Sequence, residues 1–280
     1  MTLLATDLKE GTKTLHTDIG RCKFVRHLFK GEITMATYGR FLISLYHLYR
    51  TLETALDQHK ENPQLSLIYF PNELRRLDAL EQDIEFFNGP DWREMLTPIS
   101  PAQQAYISAI ERCASSDTPE LLVAHSYVRY MADLSGGQII AKRLRTFHDL
   151  PDNQGTAFYH FGMIEDLEVF KNMYRKCLNQ IEVSEELHQQ IVEEAKTTFV
   201  KNIGLFDEFN NEFEGFAVPE QVPVDYSAAS EPERPELTAE EQASNKHQPQ
   251  QSSSLPSWHP SVLWNSLDHA VGLSYRSVNP

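Results

Sequence analysis

Tyr127-Val128-Arg129-Tyr130-Met131-Ala132-Asp133-Leu134-Ser135-Gly136-Gly137-Gln138 sets two adjacent glycines inside a stretch that otherwise reads as helix. Each helical glycine costs about 1 kcal/mol relative to alanine, so the pair implies a compensating use. Glycine lets a flat or bulky group approach the backbone closely, and it permits a kink. Asp133 lies one turn before the pair, with Tyr130 three residues earlier on the same side. A carboxylate beside exposed backbone, next to a flat ligand, could order water and relay protons. Spacing alone leaves a second reading of equal weight, a helix-packing glycine pair beside an incidental surface aspartate.

Helical periodicity extends outward from this stretch over residues 3 to about 215, and strand signals are sparse. Phe41, Leu45, Leu48, Leu52 and Leu56 fall on one helix face. Leu74, Leu77, Leu80, Ile84 and Phe87 form another stripe, closed by Asn88-Gly89-Pro90. Glycine just past the last turn, then proline, is a common helix stop. Ser100-Pro101 with Gln103 reads as a capping box, and Thr118-Pro119 opens the next helix in the same way. Leu167, Phe170, Tyr174, Cys177 and Ile181 carry a further stripe, and Leu187, Ile191, Ala195 and Thr198 carry the last long helix. The expected fold is a single all-α domain of roughly eight helices over residues 1–216. Residues 217–280 are rich in Pro, Ser, Gln and Glu and are read as a disordered tail, because they bury too little apolar surface to offset their ordering entropy.

The 280 residues carry a formal net charge of −15, which repels phosphate backbones and argues against a nucleic-acid partner. Cys22, Cys113 and Cys177 are odd in number and far apart, so they read as reduced thiols and not as a disulfide framework. No signal-peptide core and no run of about 18 apolar residues is present, so the chain is expected to be soluble. A di-iron carboxylate bundle needs two ExxH motifs from facing helices; only Glu185-Glu186-Leu187-His188 is found, and that class is rejected. P-loop, Rossmann and GxSxG patterns are absent.

Two further groups could bind a ligand. Lys9, Lys13 and His16 share one face of the first helix, and a neutral imidazole is a good ligand for iron. A lone histidine among eleven is more often a surface or satisfied side chain than a metal ligand. Lys171 and Arg175, flanking Tyr174, form a basic pair at i and i+4 that suits carboxylates but is also common on a solvated face.

Taken together, these segments resemble the animal-type, biliverdin-producing heme oxygenase family. Glu120–Tyr127 and Asp133–Gln138 look like its distal helix, and Lys9–Thr17 like its proximal helix. Ser44-Leu45-Tyr46-His47-Leu48-Tyr49, Tyr69-Phe70-Pro71, Phe170-Lys171, Tyr174-Arg175 and Glu193–Thr197 are further matches. The resemblance covers residues 3 to 215 and implies a fold that holds heme between proximal and distal helices. It implies His16 as the axial iron ligand and Asp133 as holder of a distal water network that delivers protons. Gly136 and Gly137 would let the distal helix lie close to the heme face. Lys9, Lys171 and Arg175 would meet the propionates, with Tyr127 at that edge, and Tyr46 and Arg129 would belong to a more distant distal hydrogen-bond network. Phe206 and Phe161 would help line the pocket. The implied reaction opens heme b, both cofactor and substrate, to biliverdin, ferrous iron and carbon monoxide. It uses O2 and electrons from NADPH through a reductase of the NADPH–cytochrome P450 reductase type. A monomer is expected, cytoplasmic, reaching the cytoplasmic face of the endoplasmic reticulum peripherally. The rival reading is a non-catalytic heme buffer or sensor on the same fold.

The chain departs from the family pattern in three places. Ala132 stands where glycine usually precedes the catalytic aspartate, and one added methyl at a close-contact face is expected to alter turnover or leak toward peroxidase chemistry. Gly20 replaces an acidic residue one turn after His16, leaving Asp18 as an alternative partner for the imidazole. The sequence through Pro280 lacks the family's hydrophobic anchor and its Cys-Pro motifs.

Overall fold

The apolar stripes close into helices wherever a local stop signal permits. The structure, a computed structural model, describes residues 3–151 and 154–210, so the expected tail lies outside the described residues. Ten α-helices and no strand occur among the described residues: α1 (Leu4–Arg21), α2 (Lys23–Lys30), α3 (Met35–Gln58), α4 (Pro71–Leu74), α5 (Leu77–Asn88), α6 (Pro101–Ser115), α7 (Leu122–Leu134), α8 (Gly136–His148), α9 (Leu167–Leu178) and α10 (Glu185–Asp207). The number exceeds eight because continuous-looking stripes are cut by one or two non-helical residues. Cys22 turns extended between α1 and α2, Arg75 does so between α4 and α5, and Ser135 separates α7 from α8.

The expected caps are present. Ser100 accepts the Gln103 backbone N–H while the Gln103 side chain accepts that of Ser100, and α5 ends at Gly89 with φ +81°. Thr118-Pro119 first forms a short 3-10 turn that runs into α7. The stripe Phe41, Leu45, Leu48, Leu52 and Leu56 is buried throughout, so α3 forms the centre of the core, against α5, α6 and α7. Two other long contacts set the frame: α1 lies along α10, and α10 lies along α7. No helix among the described residues is long and apolar enough to cross a membrane.

The segment between α8 and α9 is tied down by buried polar groups. Asp83, 1% exposed, accepts the backbone N–H groups of Ala157 at 2.9 Å and Phe158 at 2.8 Å. Arg76 donates to the carbonyls of Phe158 and His160, and its guanidinium lies 3.9 Å above the Phe161 ring. Arg145 adds a bond to Thr156. Replacing Asp83 with alanine strands two buried donors. Asp83→Ala is expected to lower stability by about 2 kcal/mol in urea unfolding; an unchanged midpoint would show that water satisfies both groups.

Candidate functional site

The last turn of α7 carries a buried carboxylate with a fixed set of partners. Asp133 is 4% exposed. Tyr49, on α3, donates its hydroxyl to the Asp133 carboxylate, and Arg129, one turn earlier on α7, places Nη2 3.6 Å from it. Arg129 Nε donates to Tyr49 at 3.2 Å, and Nη1 donates to Asn202 Oδ1 at 2.6 Å. Asn202, on α10, also donates to Tyr106 on α6 at 3.4 Å. Burial pushes the Asp133 carboxyl up from its usual range, and Arg129, Tyr49 and Arg76 oppose that shift. Burial likewise raises the Tyr49 hydroxyl well above its ordinary value, so the tyrosine keeps its proton and donates a hydrogen bond with it.

Directly after Asp133 the helix breaks. Ser135 adopts φ −115° and ψ −88°, and the chain restarts as α8 at Gly136. Gln138 Nε2 spans the break, donating to the Asp133 carbonyl at 3.1 Å and to the Tyr159 carbonyl at 2.8 Å. The two glycines have different surroundings. A Cβ on Gly137 would sit 2.8 Å from the Tyr159 ring, so this glycine allows close packing against the tied-down segment. A Cβ on Gly136 would meet nothing within 4 Å, and Ala132 is exposed. Gly136 and Ala132 therefore border open space next to the turn that carries Asp133.

His16 presents an exposed ring on α1, edge-on to Phe199 of α10 at 6.2 Å between centroids. Solvent reaches the ring, yet enough protein surrounds it for desolvation to lower its pKa and favour neutral imidazole, the form that ligates a metal. Phe199 and Asn202 lie three residues apart on α10. One turn of α10 thus contacts both His16 and Arg129. Asp18 pairs with Arg21 at 2.9 Å, and Gly20 is partly buried at the end of α1.

The expected basic edge is divided in two. Lys9 is exposed and Arg175 partly so, each one helical turn from the bond between Ala5 N–H and Asn179 Oδ1 that ties α1 to α9. Burial raises the Tyr127 phenol to about 12, and the positive charge of Arg175 opposes the shift. Lys171 behaves differently. It is 3% exposed, bonds Glu168 at 2.5 Å and reaches Ser135 Oγ at 3.4 Å, which places it at the helix break.

Tyr46, expected in the distal network, donates instead to Glu81 at 3.2 Å and packs edge-on to Trp92. Three residues is short of a full helical turn, and that offset turns Tyr46 toward α5 while Tyr49 faces α7. Sequence reasoning missed Tyr49, Tyr106 and Asn202. Tyr49 ends the quoted Ser44–Tyr49 run, and its place in that run was the available signal. Phe206 stacks on Phe24 at 5.7 Å within an aromatic group that includes Phe41, and Phe161 lies under Arg76.

Open space beside Gly136, an exposed neutral imidazole and two accessible cations at one edge fit a flat, dianionic, iron-bearing ligand. The comparisons with known proteins agree. Residues 2–208 match the family model for heme oxygenase. Heme oxygenase 1 of Homo sapiens is 42% identical over 206 residues, covering 73% of this chain and 71% of the relative. Heme oxygenase 1 of a Synechocystis strain is also 42% identical, over 205 residues, 73% of this chain and 84% of its own. The crystal structure of the Synechocystis heme oxygenase-1 in complex with heme superposes with a TM-score of 0.71 at 40% identity, covering 75% of this chain and 94% of that one. The chain belongs to the heme oxygenase family.

One acid beside the network titrates in an unusual range. Glu53, one turn after Tyr49 on α3, is 7% exposed and accepts the Arg76 backbone N–H at 2.6 Å. Burial lifts its pKa from 4.5 to about 7. The folded state therefore holds a proton that the unfolded state releases, so Glu53 costs nothing below pH 4.5 and destabilises increasingly as pH rises to about 7. The full span is on the order of 3 kcal/mol. Glu53→Gln should abolish this slope in urea unfolding measured across the window; an identical slope in the variant would assign it to another group.

Proposed function

We propose that this chain is a working heme oxygenase that opens heme to biliverdin, ferrous iron and carbon monoxide, with residues 1–216 as its catalytic domain. The carrying observation is Asp133, buried and clamped by Tyr49 and Arg129 immediately before the break that leads into Gly136. A pure heme binder has no need of a buried carboxylate with a matched hydroxyl and guanidinium at that place. When bound, heme supplies both the iron that activates oxygen and the carbon skeleton that is oxidised.

The protein's own residues do the rest. His16 would hold the ligand from α1 through the lone pair of its neutral imidazole. Lys9 and Arg175 would meet its carboxylates, with Tyr127 beside them. Gly136 and Ala132 would set how closely backbone and methyl approach the ligand. Asp133 would order water at that face and relay protons through it, with its carboxylate held by the Tyr49 hydroxyl. Arg129 holds the carboxylate and the hydroxyl in place, and Asn202 holds Arg129. Lys171, bonded to Ser135, steadies the break from behind. O2 and electrons delivered by a reductase of the NADPH–cytochrome P450 reductase type complete the requirements. We place the enzyme in the cytoplasm as a monomer that meets its donor at the cytoplasmic face of the endoplasmic reticulum.

An absorbance time course with one equivalent of hemin and a reductase system, under air with catalase present, tests this reading. Growth of a biliverdin band as the heme band falls is expected. Asp133→Ala should keep hemin binding and lose biliverdin formation by a factor of about 100 or more. A wild-type spectrum that is reduced but never yields biliverdin would contradict the proposal.

Two variants probe the face itself. Gly136→Leu fills space that is open in the folded protein, so it should leave stability within about 0.5 kcal/mol and weaken hemin binding at least tenfold. Tight binding by that variant would put the ligand elsewhere. Ala132→Gly removes the methyl at the same face and should raise biliverdin yield relative to peroxidase-type products. Unchanged rate and product mix would show the methyl to be inert.

A further inference from the structure

Away from His16, three buried side chains from three helices converge on one point. Cys113 lies near the end of α6, His125 on α7 and Glu194 on α10; the first two are fully buried and Glu194 is 7% exposed. Cys113 Sγ is 3.6 Å from His125 Nε2, which is 3.0 Å from Glu194 Oε1, and all three donor atoms lie within 4.8 Å of one another. A tetrahedral zinc ion bound at about 2.3 Å to sulfur and 2.0–2.1 Å to nitrogen and oxygen sets S···N near 3.5 Å and N···O near 3.3 Å. The S···N and N···O separations are within a few tenths of an ångström of those values, and Sγ and Oε1, no more than 4.8 Å apart, have to close to about 3.5 Å, a change that a side-chain rotation of Cys113 or Glu194 supplies.

The surroundings of the histidine favour a ligand role. Thr198 Oγ1 donates to the Glu194 carbonyl at 2.8 Å and lies 3.2 Å from His125 Nδ1. With its proton on the carbonyl, Thr198 accepts Nδ1–H, and the Nε2 lone pair is left facing Cys113 and Glu194. Arg112, whose side chain is 56% exposed, donates to Oε1 at 2.9 Å and Oε2 at 2.8 Å, so it can keep Oε2 while Oε1 takes a cation. A thiolate and a carboxylate together neutralise a divalent charge, which suits a buried place. Without a cation the thiol and imidazole are neutral and Arg112 balances the Glu194 carboxylate, with Nε2–H donating to Glu194. Cation uptake moves the imidazole proton to Nδ1 and releases one proton, that of the thiol.

We propose that Cys113, His125 and Glu194 bind a borderline-soft divalent cation, zinc above others, with water in the fourth position. The ion ties α6, α7 and α10 together. His125 lies one turn before Arg129 on α7, and Glu194 two turns before Asn202 on α10. The ion therefore fixes the register of the two helices that carry the Arg129–Asn202 bond.

Cobalt(II) is the probe, because thiolate ligation gives it a near-ultraviolet charge-transfer band. The full chain carrying Cys22→Ser, Cys177→Ser and His16→Ala, stripped with a chelator and kept anaerobic, leaves Cys113 as its sole thiol. It should bind one equivalent of Co2+ with that band and with tetrahedral visible absorption, both displaced by Zn2+. Adding Cys113→Ser should remove the near-ultraviolet band. Absence of the band in the parent, or its persistence after Cys113→Ser, would overturn the proposal. If that last variant loses its helical circular dichroism, X-ray absorption of the zinc-loaded parent decides. One sulfur neighbour near ~2.3 Å supports the site, and nitrogen and oxygen neighbours alone overturn it.

Discussion

Asp133 cannot be buried without a hydroxyl and a guanidinium to receive it, and much of the fold is arranged to bring them. A carboxylate taken out of water costs several kcal/mol unless it is paired and hydrogen-bonded. Tyr49 comes from α3, Arg129 from α7 itself, and Asn202, which orients Arg129, from α10. Three helices must therefore meet at fixed height and rotation. The apolar stripe of α3 supplies that constraint from the core side, and the contact of α10 with both α1 and α7 supplies it from the other.

The same arrangement links the two sides of the ligand. Phe199 and Asn202 share one turn of α10, so a shift of that helix moves the support of His16 and the support of Arg129 together. The break at Ser135 adds a second link. Lys171 contacts Ser135, Gln138 ties Asp133 to Tyr159, and Tyr159 fills the space that a side chain on Gly137 would need. Asp83 and Arg76 hold the Tyr159 segment in turn. Residues far from the open face thus determine how closely Gly136 and Ala132 approach it.

The helices were legible because each buries one face, and a 3.6-residue period survives in the sequence wherever that is true. Caps such as Ser100 with Gln103 were legible because their chemistry is local. The breaks at Cys22 and Arg75 were not, because neither residue type has a strong helix-stopping tendency, whereas at Ser135 the glycine pair signalled a kink but not a full interruption of the helix. His16, Asp133 and the glycine pair could be picked out by residue type, spacing and resemblance. Partner choice could not: Tyr46 and Tyr49 are three residues apart in one run, and only the packing of α5 and α7 sends the first to Glu81 and the second to Asp133. Lys171 and Arg175 looked equivalent at i and i+4, yet the break draws one inward and leaves the other toward solvent. Asn202 carried no signal, since a lone asparagine near the end of an amphipathic helix reads as surface.

The most direct test is a crystal structure of the full chain with ferric heme bound. The account predicts His16 ligating the iron from α1, Gly136 against the opposite face, and Asp133 one water molecule away from the sixth position while still bonded to Tyr49. Iron held by a different histidine, or an Asp133 carboxylate turned away from the heme with Tyr49 and Arg129 unpaired from it, would contradict it.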